Sequence, residues 1–594
     1  MELKAKKYNL WDMFVLMFKA SPVWTSLYVL IQLLEALMPT VSIFTTAGFV
    51  DTAIAVLNGT NEYNDIFLPL GVIIGMFVVE RLIWVGDWII DVQLRAKTEL
   101  KFSEMFLNKR AKLKYHYIED SQIHDLITRV GGADQIANRG RRLTWWVYWV
   151  VNIITTLSVV FAYVWWSGIV AIVVAIPAVV IAVKNGLEKY KTFSDTEHIN
   201  RYANVYQSML GAKDFLEEKT TFGYTKYAIE RWLDKKTQVD DINLKTTMRT
   251  SWRENIVTCL AWVMWGAIVI SLVPAVEAGM LTAGMFIGIA NGVMSLVNIV
   301  AWNISWQVDW AVQAIKHLKD LTEFSMLEDQ EGALDLPCDM SGTGIDSIEF
   351  RDVSFKYPKT DRYILKNCSF TIKGNEHYAF VGINGAGKTT ITKLLTGLYD
   401  NYEGKIFING KNLRDYKLAE LKGLFSIVYQ DYAKYQIEFK DNIKLGDTTK
   451  DDDEAMMKAV HDIGLDEALS KLHSGVDTPL GKVSENGVDL SGGEWQRVAI
   501  ARTLYSDAPM TILDEPTAAL DPIAESGIYE MFRDVTRDRS AIFITHRLGA
   551  AKIADKILVV DDGKIVEFGS HKELMEKNGL YAEMFNTQKG WYEA

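Results

Sequence analysis

The sequence predicts a two-part fold, with an α-helical membrane domain of six spans followed by an α/β domain. The first part is indicated by Leu143–Val183, where no residue is charged over a length that holds two spans of about 20 residues each. The second part is indicated by Gly382–Thr389, which fits the phosphate-binding pattern G-x-x-x-x-G-K-[ST] between an apolar strand and a helix. We expect residues 1–325 to form the membrane domain, 326–347 a linker and 348–594 the α/β domain.

Apolar stretches give the six spans in chain order. The segment 143–183 contains the third and fourth spans, with a tight turn predicted at Trp166-Ser167-Gly168. The other spans are predicted at Pro22–Phe49, Ile66–Ile90, Ile256–Val276 and Met285–Ser305. The outer connections contain no Lys or Arg, whereas the inner connections, about 91–142 and 185–255, are rich in both. The positive-inside rule therefore predicts a multi-pass cell-membrane protein with both termini and the α/β domain in the cytosol.

The rest of the composition limits the class of protein further. Met1–Lys7 is basic, but Tyr8–Ala20 is a short amphipathic stretch without the cleavage site of a signal peptide, and it suits a helix at the membrane surface. The three cysteines show no metal-binding or redox spacing. The net charge of −12 gives no sign of nucleic-acid binding. Because the predicted spans would lie in a bilayer, membrane lipid is an expected partner.

The phosphate-binding loop carries the residue types that bind ATP with Mg²⁺. Its glycines let successive backbone N–H groups point at an anion. Lys388 supplies positive charge for the β- and γ-phosphates, and the Thr389 hydroxyl can bind Mg²⁺. The candidate ATP-binding residues of the loop are Gly382, Asn384, Gly385, Ala386, Gly387, Lys388, Thr389 and Thr390.

Two further motifs supply the chemistry of ATP hydrolysis. Met510–Pro516 is an apolar strand that ends in two carboxylates: Asp514 would hold Mg²⁺ through water, and Glu515 would orient or deprotonate the attacking water. Leu490–Glu494 precedes a helix, and its serine hydroxyl and the first helical N–H groups offer donors to a phosphate. The candidate residues of this second segment are Ser491, Gly492, Gly493 and Glu494.

Together these motifs resemble the ATP-binding cassette (ABC) ATPases over roughly residues 345–590. Leu490–Glu494 resembles the signature motif of that family, in its Glu-ending variant. The resemblance implies that Tyr357 stacks on adenine and that Gln430 joins Mg²⁺ to the membrane part. It also implies that His546 is the switch histidine, which would contact the γ-phosphate.

Two smaller segments agree with this resemblance. Ala518–Asp521 resembles the D-loop, with Ala518 in place of the commoner serine. Ser484–Gly487 resembles the exporter-specific segment that touches the coupling helices. The departures at Ala518 and Glu494 are mild, so ATP hydrolysis remains the expected activity.

Six spans with long inner loops, followed by one cassette, resemble the half-transporters of ABC exporters. In that family short coupling helices rest on the cassettes, and Lys114–Ser121 and Thr220–Lys226 resemble them by position. The resemblance implies a homodimer with each ATP held between Lys388 of one chain and Ser491 of the other. A heterodimer with a second half-transporter is the alternative, whereas the six spans argue against an ABC ATPase without a transport role.

The cassette is most similar to those of nisin-type lanthipeptide exporters that lack a peptidase domain. The similar segments are Gln430–Tyr435, Trp495-Gln496 and Asp514–Glu525. About 20 residues precede the first span, which is too few for an N-terminal cysteine peptidase. The implied cargo is an amphipathic, modified peptide moved from the cytosol to the outside, and the alternative is a multidrug or lipid exporter.

Charged residues within the predicted spans are candidates for contact with cargo. Glu35, Glu80 and Arg81 are costly at that depth. Each is therefore expected either to pair with a residue of another span or to act in cargo binding or gating.

Tryptophans near the inner ends of two spans allow two interpretations. Trp302, Trp306 and Trp310 share one face of the sixth span, and Trp145, Trp146 and Trp149 lie near the start of the third. They fit either an aromatic belt at the membrane surface or the aromatic wall of a cargo cavity.

Overall fold

The computed structural model describes residues 1–131, 133–163, 165–212, 215–299, 304–340, 342–515, 522–537 and 539–593. The chain forms two compact units. The first contains Met1–Arg110 and Asp125–Leu327, and the second contains Ala111–His124 and Glu328–Ala594. Trp302 and Ala518–Asp521, which the sequence singles out, lie outside the described residues.

Helices precede the first strand of the chain. They are α1 (Leu10–Ala20), α2 (Pro22–Leu57), α3 (Phe67–Lys112), α4 (Tyr115–Glu119), α5 (Ser121–Val130), α6 (Ala133–Tyr163), α7 (Trp165–Gly211), α8 (Leu216–Phe222), α9 (Thr225–Glu277), α10 (Ala283–Asn298) and α11 (Ile304–Met326). Helices α3, α7 and α9 contain 46, 47 and 53 residues. At 1.5 Å per residue they are about 70–80 Å long, more than twice the roughly 30 Å of a bilayer core.

Four helices among the described residues are long and apolar enough to cross a membrane, and Ala283–Asn298 is a shorter apolar helix. They are α2 (Pro22–Leu57), α3 together with the short helical turn before it (Tyr63–Lys112), the Asn138–Tyr163 part of α6, and α9 (Thr225–Glu277). The described residues of the predicted spans fall on helices, and the total of six stays a prediction. The predicted turn at 166–168 is wrong, because these residues belong to the first turn of α7.

Small residues allow α10 to pack tightly against α2. Gly284, Gly288 and Gly292 recur every fourth residue on one face of α10. A Cβ atom on Gly284 would overlap the Ala47 carbonyl, and one on Gly292 would lie 2.6 Å from the Ile43 Cδ1. This spacing of small residues is typical of helices that approach closely within a membrane.

The charged residues of the predicted spans have no ion-pair partner on another span within the described ranges. Within the described part of the chain, no ion pair includes Glu35, Glu80 or Arg81. The Arg81 guanidinium instead lies 4.2 Å from the ring centre of Trp84, on its own helix. The charged groups that act on Glu35 are two further carboxylates, those of Asp87 and Glu80. Among the described residues, pairing between spans is therefore not found for these three side chains, and a role in cargo binding or gating stays a prediction.

The second unit contains two sheets with flanking helices. The strands are β1 (Ser347–Phe355), β2 (Leu365–Lys373), β3 (His377–Val381), β4 (Glu403–Ile408), β5 (Lys411–Asn412), β6 (Phe425–Val428), β7 (Met510–Asp514), β8 (Ser540–Ile544), β9 (Lys556–Asp561) and β10 (Lys564–Gly569). The helices are α12 (Lys388–Leu395), α13 (Leu418–Leu424), α14 (Phe439–Lys444), α15 (Asp453–Asp462), α16 (Asp466–Ser470), α17 (Gly492–Tyr505), α18 (Pro522–Val535), α19 (Leu548–Ala551), α20 (His571–Lys577) and α21 (Leu580–Glu593).

The larger sheet places the motif-bearing strands side by side. Its order is β10-β9-β3-β8-β7-β6, and all its pairs are parallel except β9 with β10. Alternate residues of β3 enter different cores: Tyr378 and Phe380 pack on one face, and Ala379 and Val381 on the other. A sheet covered on both faces explains why β3, β7 and β8 are continuous apolar runs rather than alternating ones. The smaller sheet, β2-β1-β4-β5, is antiparallel.

Candidate nucleotide site

Four neighbouring parallel strands end at the same edge of the larger sheet, and each is followed by a predicted site residue. Strand β3 leads into the loop 382–388, β8 leads to His546, β7 ends at Asp514 and Glu515 follows it, and β6 leads to Gln430. Ligands of open α/β sheets bind outside these carboxyl ends. The topology therefore brings most of the predicted residues to one edge, although they are far apart in the sequence.

Two glycines of the loop are required by its backbone. Gly382 has φ 151°, and a Cβ atom there would overlap the Val560 carbonyl oxygen. Gly387 has φ 111°, and its Cβ would lie 2.8 Å from the Leu365 Cδ2. A side chain at either position would push the loop away from the sheet, so glycine allows the tight turn that points N–H groups inward.

Lys388 begins helix α12 and points back into the loop. Its Nζ donates to the carbonyl oxygens of Gly382 at 2.9 Å and Ile383 at 3.2 Å. Burial lowers the pKa of Lys388, although the carboxylates of Glu515 and Asp514 act in the opposite direction. The ammonium is thus held in the loop by neutral acceptors, which the phosphate of a nucleotide would outcompete.

Asp514 and Thr389 form a pair that suits Mg²⁺. The Thr389 hydroxyl donates to Asp514 Oδ1 at 3.2 Å. Asp514 is almost fully buried, and its Oδ2 has no hydrogen-bond partner in the described part of the chain. Burial raises the pKa of Asp514 to about 6, and the nearby Glu515 carboxylate adds to this effect. A buried carboxylate oxygen without a donor fits a cation, and oxygen ligands of this kind are those that Mg²⁺ prefers.

Glu515 has an unusual backbone conformation. Its φ is 45°, a left-handed value that costs a non-glycine residue about 1–3 kcal/mol. Its N–H donates to the Ile544 carbonyl at 2.9 Å, which ties β7 to the end of β8. Its carboxylate Oε1 lies 2.5 Å from Nε2 of His546. The surrounding structure therefore fixes both the backbone and the carboxylate of this residue.

The imidazole of His546 has a defined orientation. Lys388 Nζ approaches its Nδ1 at 3.4 Å, and the Gln588 side chain donates to the His546 carbonyl at 2.5 Å. Because an ammonium can only donate, Nδ1 is the acceptor and Nε2 carries the proton that faces Glu515. Nothing in the sequence pointed to Gln588, which comes from α21 near the end of the chain.

Tyr357 lies beside the loop helix α12. Its hydroxyl is 3.1 Å from Thr390 Oγ1, and its ring meets Tyr399 edge-on at 5.5 Å. The Lys393 ammonium lies 5.6 Å from the Tyr357 ring centre. The sequence motif pointed to Tyr357 as a site residue but not to Lys393, because a lysine on a helix usually indicates only a solvated face.

The segment Ala111–His124 contacts the cassette next to Tyr357. Glu119, at the end of α4, accepts hydrogen bonds from Lys393 Nζ at 2.7 Å and from the Tyr399 hydroxyl. The Lys393 ammonium also lies 5.6 Å from the ring centre of Tyr115. The first segment that resembles a coupling helix is thus held within the second unit, against the helix that begins at Lys388.

The signature-like segment forms a helix cap. Ser491 is the N-cap of α17: its hydroxyl accepts from the Glu494 N–H at 3.3 Å, and Glu494 Oε2 accepts from the Ser491 N–H at 2.8 Å. This reciprocal capping box explains a glutamate at the end of the motif. Across the described ranges, no hydrogen bond or ion pair joins Ser491–Glu494, or the exposed Gln430, to the cluster around Lys388. A single chain therefore brings together only part of the predicted site.

Comparison with known proteins places the chain in a family. The sequence profile described as "ABC transporter" matches residues 365–518. The subtilin transport ATP-binding protein SpaT of Bacillus subtilis is 28% identical over 566 residues, which cover 94% of this chain and 90% of that protein. The ATP-dependent lipid A-core flippases of Photorhabdus laumondii and Escherichia coli K12 are each 32% identical, over 74% of either chain.

A solved structure agrees at the level of the fold. It is a bacterial Atm1-family ABC exporter with ATP bound, with a TM-score of 0.74, 23% identity and coverage of 94% of this chain and 98% of that one. The predicted order, a helical membrane region followed by an α/β ATPase, is confirmed. The expected activity, ATP hydrolysis coupled to transport, is confirmed as well. This chain belongs to the ABC transporter family, as an exporter half-transporter with its ATPase fused to its membrane domain.

Proposed function

We propose that the protein is an ATP-driven exporter of an amphipathic, modified peptide, working as a homodimer by alternating access. The similarity to the subtilin transporter carries this proposal, because it extends over the membrane domain as well as the cassette. Exporters of this fold act as dimers with ATP. In the proposed arrangement, each ATP contacts Lys388 of one copy and Ser491 of the other, which supplies the part of the site that one chain lacks.

The residues of the site have complementary proposed roles. Lys388 and the N–H groups of its loop bind the phosphates, and Tyr357 stacks on adenine. Glu515 takes a proton from water as the water oxygen attacks the γ-phosphorus, and the bond to ADP breaks. His546 holds the Glu515 carboxylate in place and contacts the γ-phosphate.

Mg²⁺ would be held by Thr389, Asp514 and Gln430, and it neutralises phosphate charge when bound. Closure of the two cassettes around ATP is favoured by the higher affinity of ATP for the closed dimer. That closure would turn the membrane cavity outward, and hydrolysis would reset it.

An aromatic cavity in the membrane unit supports peptide cargo. It has a volume of about 350 Å³ and includes Trp306 and Trp310 of α11, Trp145 of α6, and Trp84 and Trp88 of α3. Its wall also contains the charged side chains of Asp87, Asp91, Arg95, Arg141 and Arg142. Trp306 is largely exposed, as a ring available to cargo would be. Rings from three helices around one space favour the cavity-wall interpretation over a belt at the membrane surface. Indole faces also attract the Lys or Arg side chains of a peptide.

The test is the ATPase rate of the purified protein in liposomes across three cargo classes. We expect amphipathic peptides to stimulate the rate more than lipid A-type lipids or apolar dyes do. The lipid alternative is favoured by the flippase relatives. Stimulation by lipid alone would replace the proposed cargo, while stimulation by dyes alone would indicate a multidrug exporter.

A further inference from the structure

We infer that a second, basic cavity in the membrane unit binds an acidic segment of the peptide cargo; this rests on the proposed function. The cavity has a volume of about 530 Å³, within the usual range for ligand sites. It is lined by four cationic side chains, those of Arg129, Arg139, Lys189 and Lys316, and by two carboxylates, those of Glu197 and Asp320. Arg129 pairs with Asp320 at 3.4 Å and Lys316 with Glu197 at 3.5 Å, so four cationic groups face two carboxylates and the wall has an excess of two cationic groups.

The cavity lies on the inner side of the predicted spans. Its lining residues lie just before the third and fifth spans and just after the fourth and sixth spans. All four of these span ends are predicted to face the cytosol. For example, Arg139 precedes Leu143, Lys189 follows Val183, and Lys316 follows Ser305. A site beyond the ends of the spans is open to water-soluble ligands rather than to lipid tails. This position favours a peptide segment arriving from the cytosol over an anionic lipid.

The cationic groups are held in place by the wall. Lys316 Nζ lies 3.5 Å from Glu197 and 4.5 Å from the ring centre of Phe193. Arg139 donates to the Gln313 carbonyl at 2.6 Å, and Lys189 pairs with Glu254 at 3.3 Å. A lysine has three donors, so Lys316 retains capacity for a carboxylate of a ligand.

His317 supplies an independent indication of a ligand. It lines the cavity, only 4% of its surface is exposed, and its Nε2 has no hydrogen-bond partner among the residues that the structure describes. Burial and the nearby Arg139 lower the pKa of His317 to about 3, so the ring is neutral at pH 7. A buried polar atom without a partner is costly and is usually satisfied by something that the site binds. A polar group of the acidic segment would satisfy it.

The experiment uses two labelled amphipathic peptides that differ only in one segment, which contains Asp and Glu in the first and Asn and Gln in the second. Their affinities for the purified full-length protein without nucleotide are measured by fluorescence polarisation. We expect the acidic peptide to bind about tenfold more tightly, which corresponds to about 1.4 kcal/mol. Lys316→Gln and His317→Phe should each remove most of this preference, and Lys316→Arg should retain it.

Lys184→Gln is the matched control, because it removes the same charge from the exposed part of α7, outside the cavity wall. It should leave the preference unchanged. Equal binding of the two peptides would overturn the inference while leaving the proposed peptide cargo standing. Binding of neither peptide would overturn both. Displacement of the acidic peptide by inorganic phosphate, or by phosphatidylglycerol micelles at equal charge, would also overturn it in favour of a simple anion or a lipid.

Discussion

The Glu515 carboxylate lies 2.5 Å from the His546 ring nitrogen that carries the proton. The other nitrogen of the ring lies 3.4 Å from the Lys388 ammonium. One imidazole therefore joins the group proposed to act on water to the group proposed to bind phosphate. Because Glu515 also has a left-handed backbone fixed by its bond to Ile544, its position depends on three strand ends at once.

Glu515→Gln should retain ATP binding and lose most ATP hydrolysis. An amide can still accept a hydrogen bond from His546, but it cannot take a proton from water. General-base groups contribute roughly 10²–10⁴-fold to rate, so a loss in that range is expected. Turnover and ATP affinity are measured on the same preparation. Glu530→Gln, at an exposed position of α18, is the control. Near-normal turnover of the Glu515 variant would refute the role.

Asp514→Asn should abolish the contribution of Mg²⁺ to nucleotide binding. In the wild type, adding Mg²⁺ to ATP should raise the melting temperature further, since a ligand at 100 times its Kd stabilises by about 2.7 kcal/mol. The variant should melt at the same temperature with ATP in Mg²⁺ as with ATP in EDTA. Asp415→Asn, which is exposed, should behave as the wild type. If Mg²⁺ raised the melting temperature of the Asp514 variant as much as that of the wild type, the cation would bind elsewhere.

Glu119→Gln should destabilise the cassette at neutral pH. Burial raises the pKa of Glu119, but hydrogen bonds from Lys393 and Tyr399 outweigh it and leave the pKa below its usual value. The ionised carboxylate therefore stabilises the fold at pH values above the pKa that Glu119 has in the unfolded chain. This stabilisation is lost as the pH falls through the lower pKa that Glu119 has in the folded protein. Because the pair is half-exposed, we expect Glu119→Gln to lower the free energy of unfolding by about 0.5–1.5 kcal/mol at pH 7.

The measurement for Glu119 is the melting temperature at pH 7 and at pH 4. The difference between wild type and Glu119→Gln should be largest at pH 7 and should shrink toward pH 4. Glu217→Gln, on the exposed part of α8, provides a matched loss of charge. A difference that grows as pH falls would contradict the assignment.

The purified protein should be a homodimer with two equivalent ATP sites. The motivation is that one chain contains Lys388, Glu515 and His546 in one cluster and Ser491 apart from it. Native mass spectrometry in detergent should show twice the 67.2 kDa chain mass, with two nucleotides bound to the Glu515→Gln form. A stable monomer that binds ATP with full turnover, or a second half-transporter that copurifies, would refute this.

The residues that local sequence patterns singled out around Lys388 and Asp514 lie together at one edge of the larger sheet, and their roles in binding ATP stay predictions. The residues around Lys388 and Asp514 could be found because the strand–loop–helix pattern and the strand ending in acids are local signals, and parallel strand ends must meet at one edge. The bond from Glu119 to Lys393 could not be predicted, since it joins residues 274 positions apart without a pattern at either end.

The membrane domain was predicted less accurately at its connections and contacts. The turn at 166–168 was misplaced because Trp166 and Gly168 suggested a break, whereas the helix α7 already begins at Trp165. Charged residues such as Glu35 were expected either to pair between spans or to act in cargo binding or gating, and the charged groups near Glu35 are other carboxylates. Which helices meet in the membrane depends on close packing such as that of Gly284 against α2, and hydropathy alone does not report it.

The most direct test of the whole account is ATP-dependent uptake of a labelled amphipathic peptide into inside-out membrane vesicles. Vesicles with the wild-type protein should accumulate the peptide only when ATP and Mg²⁺ are present, and vesicles with Glu515→Gln should not. Equal accumulation in the two preparations, or movement of labelled lipid without any movement of peptide, would contradict ATP-driven peptide export.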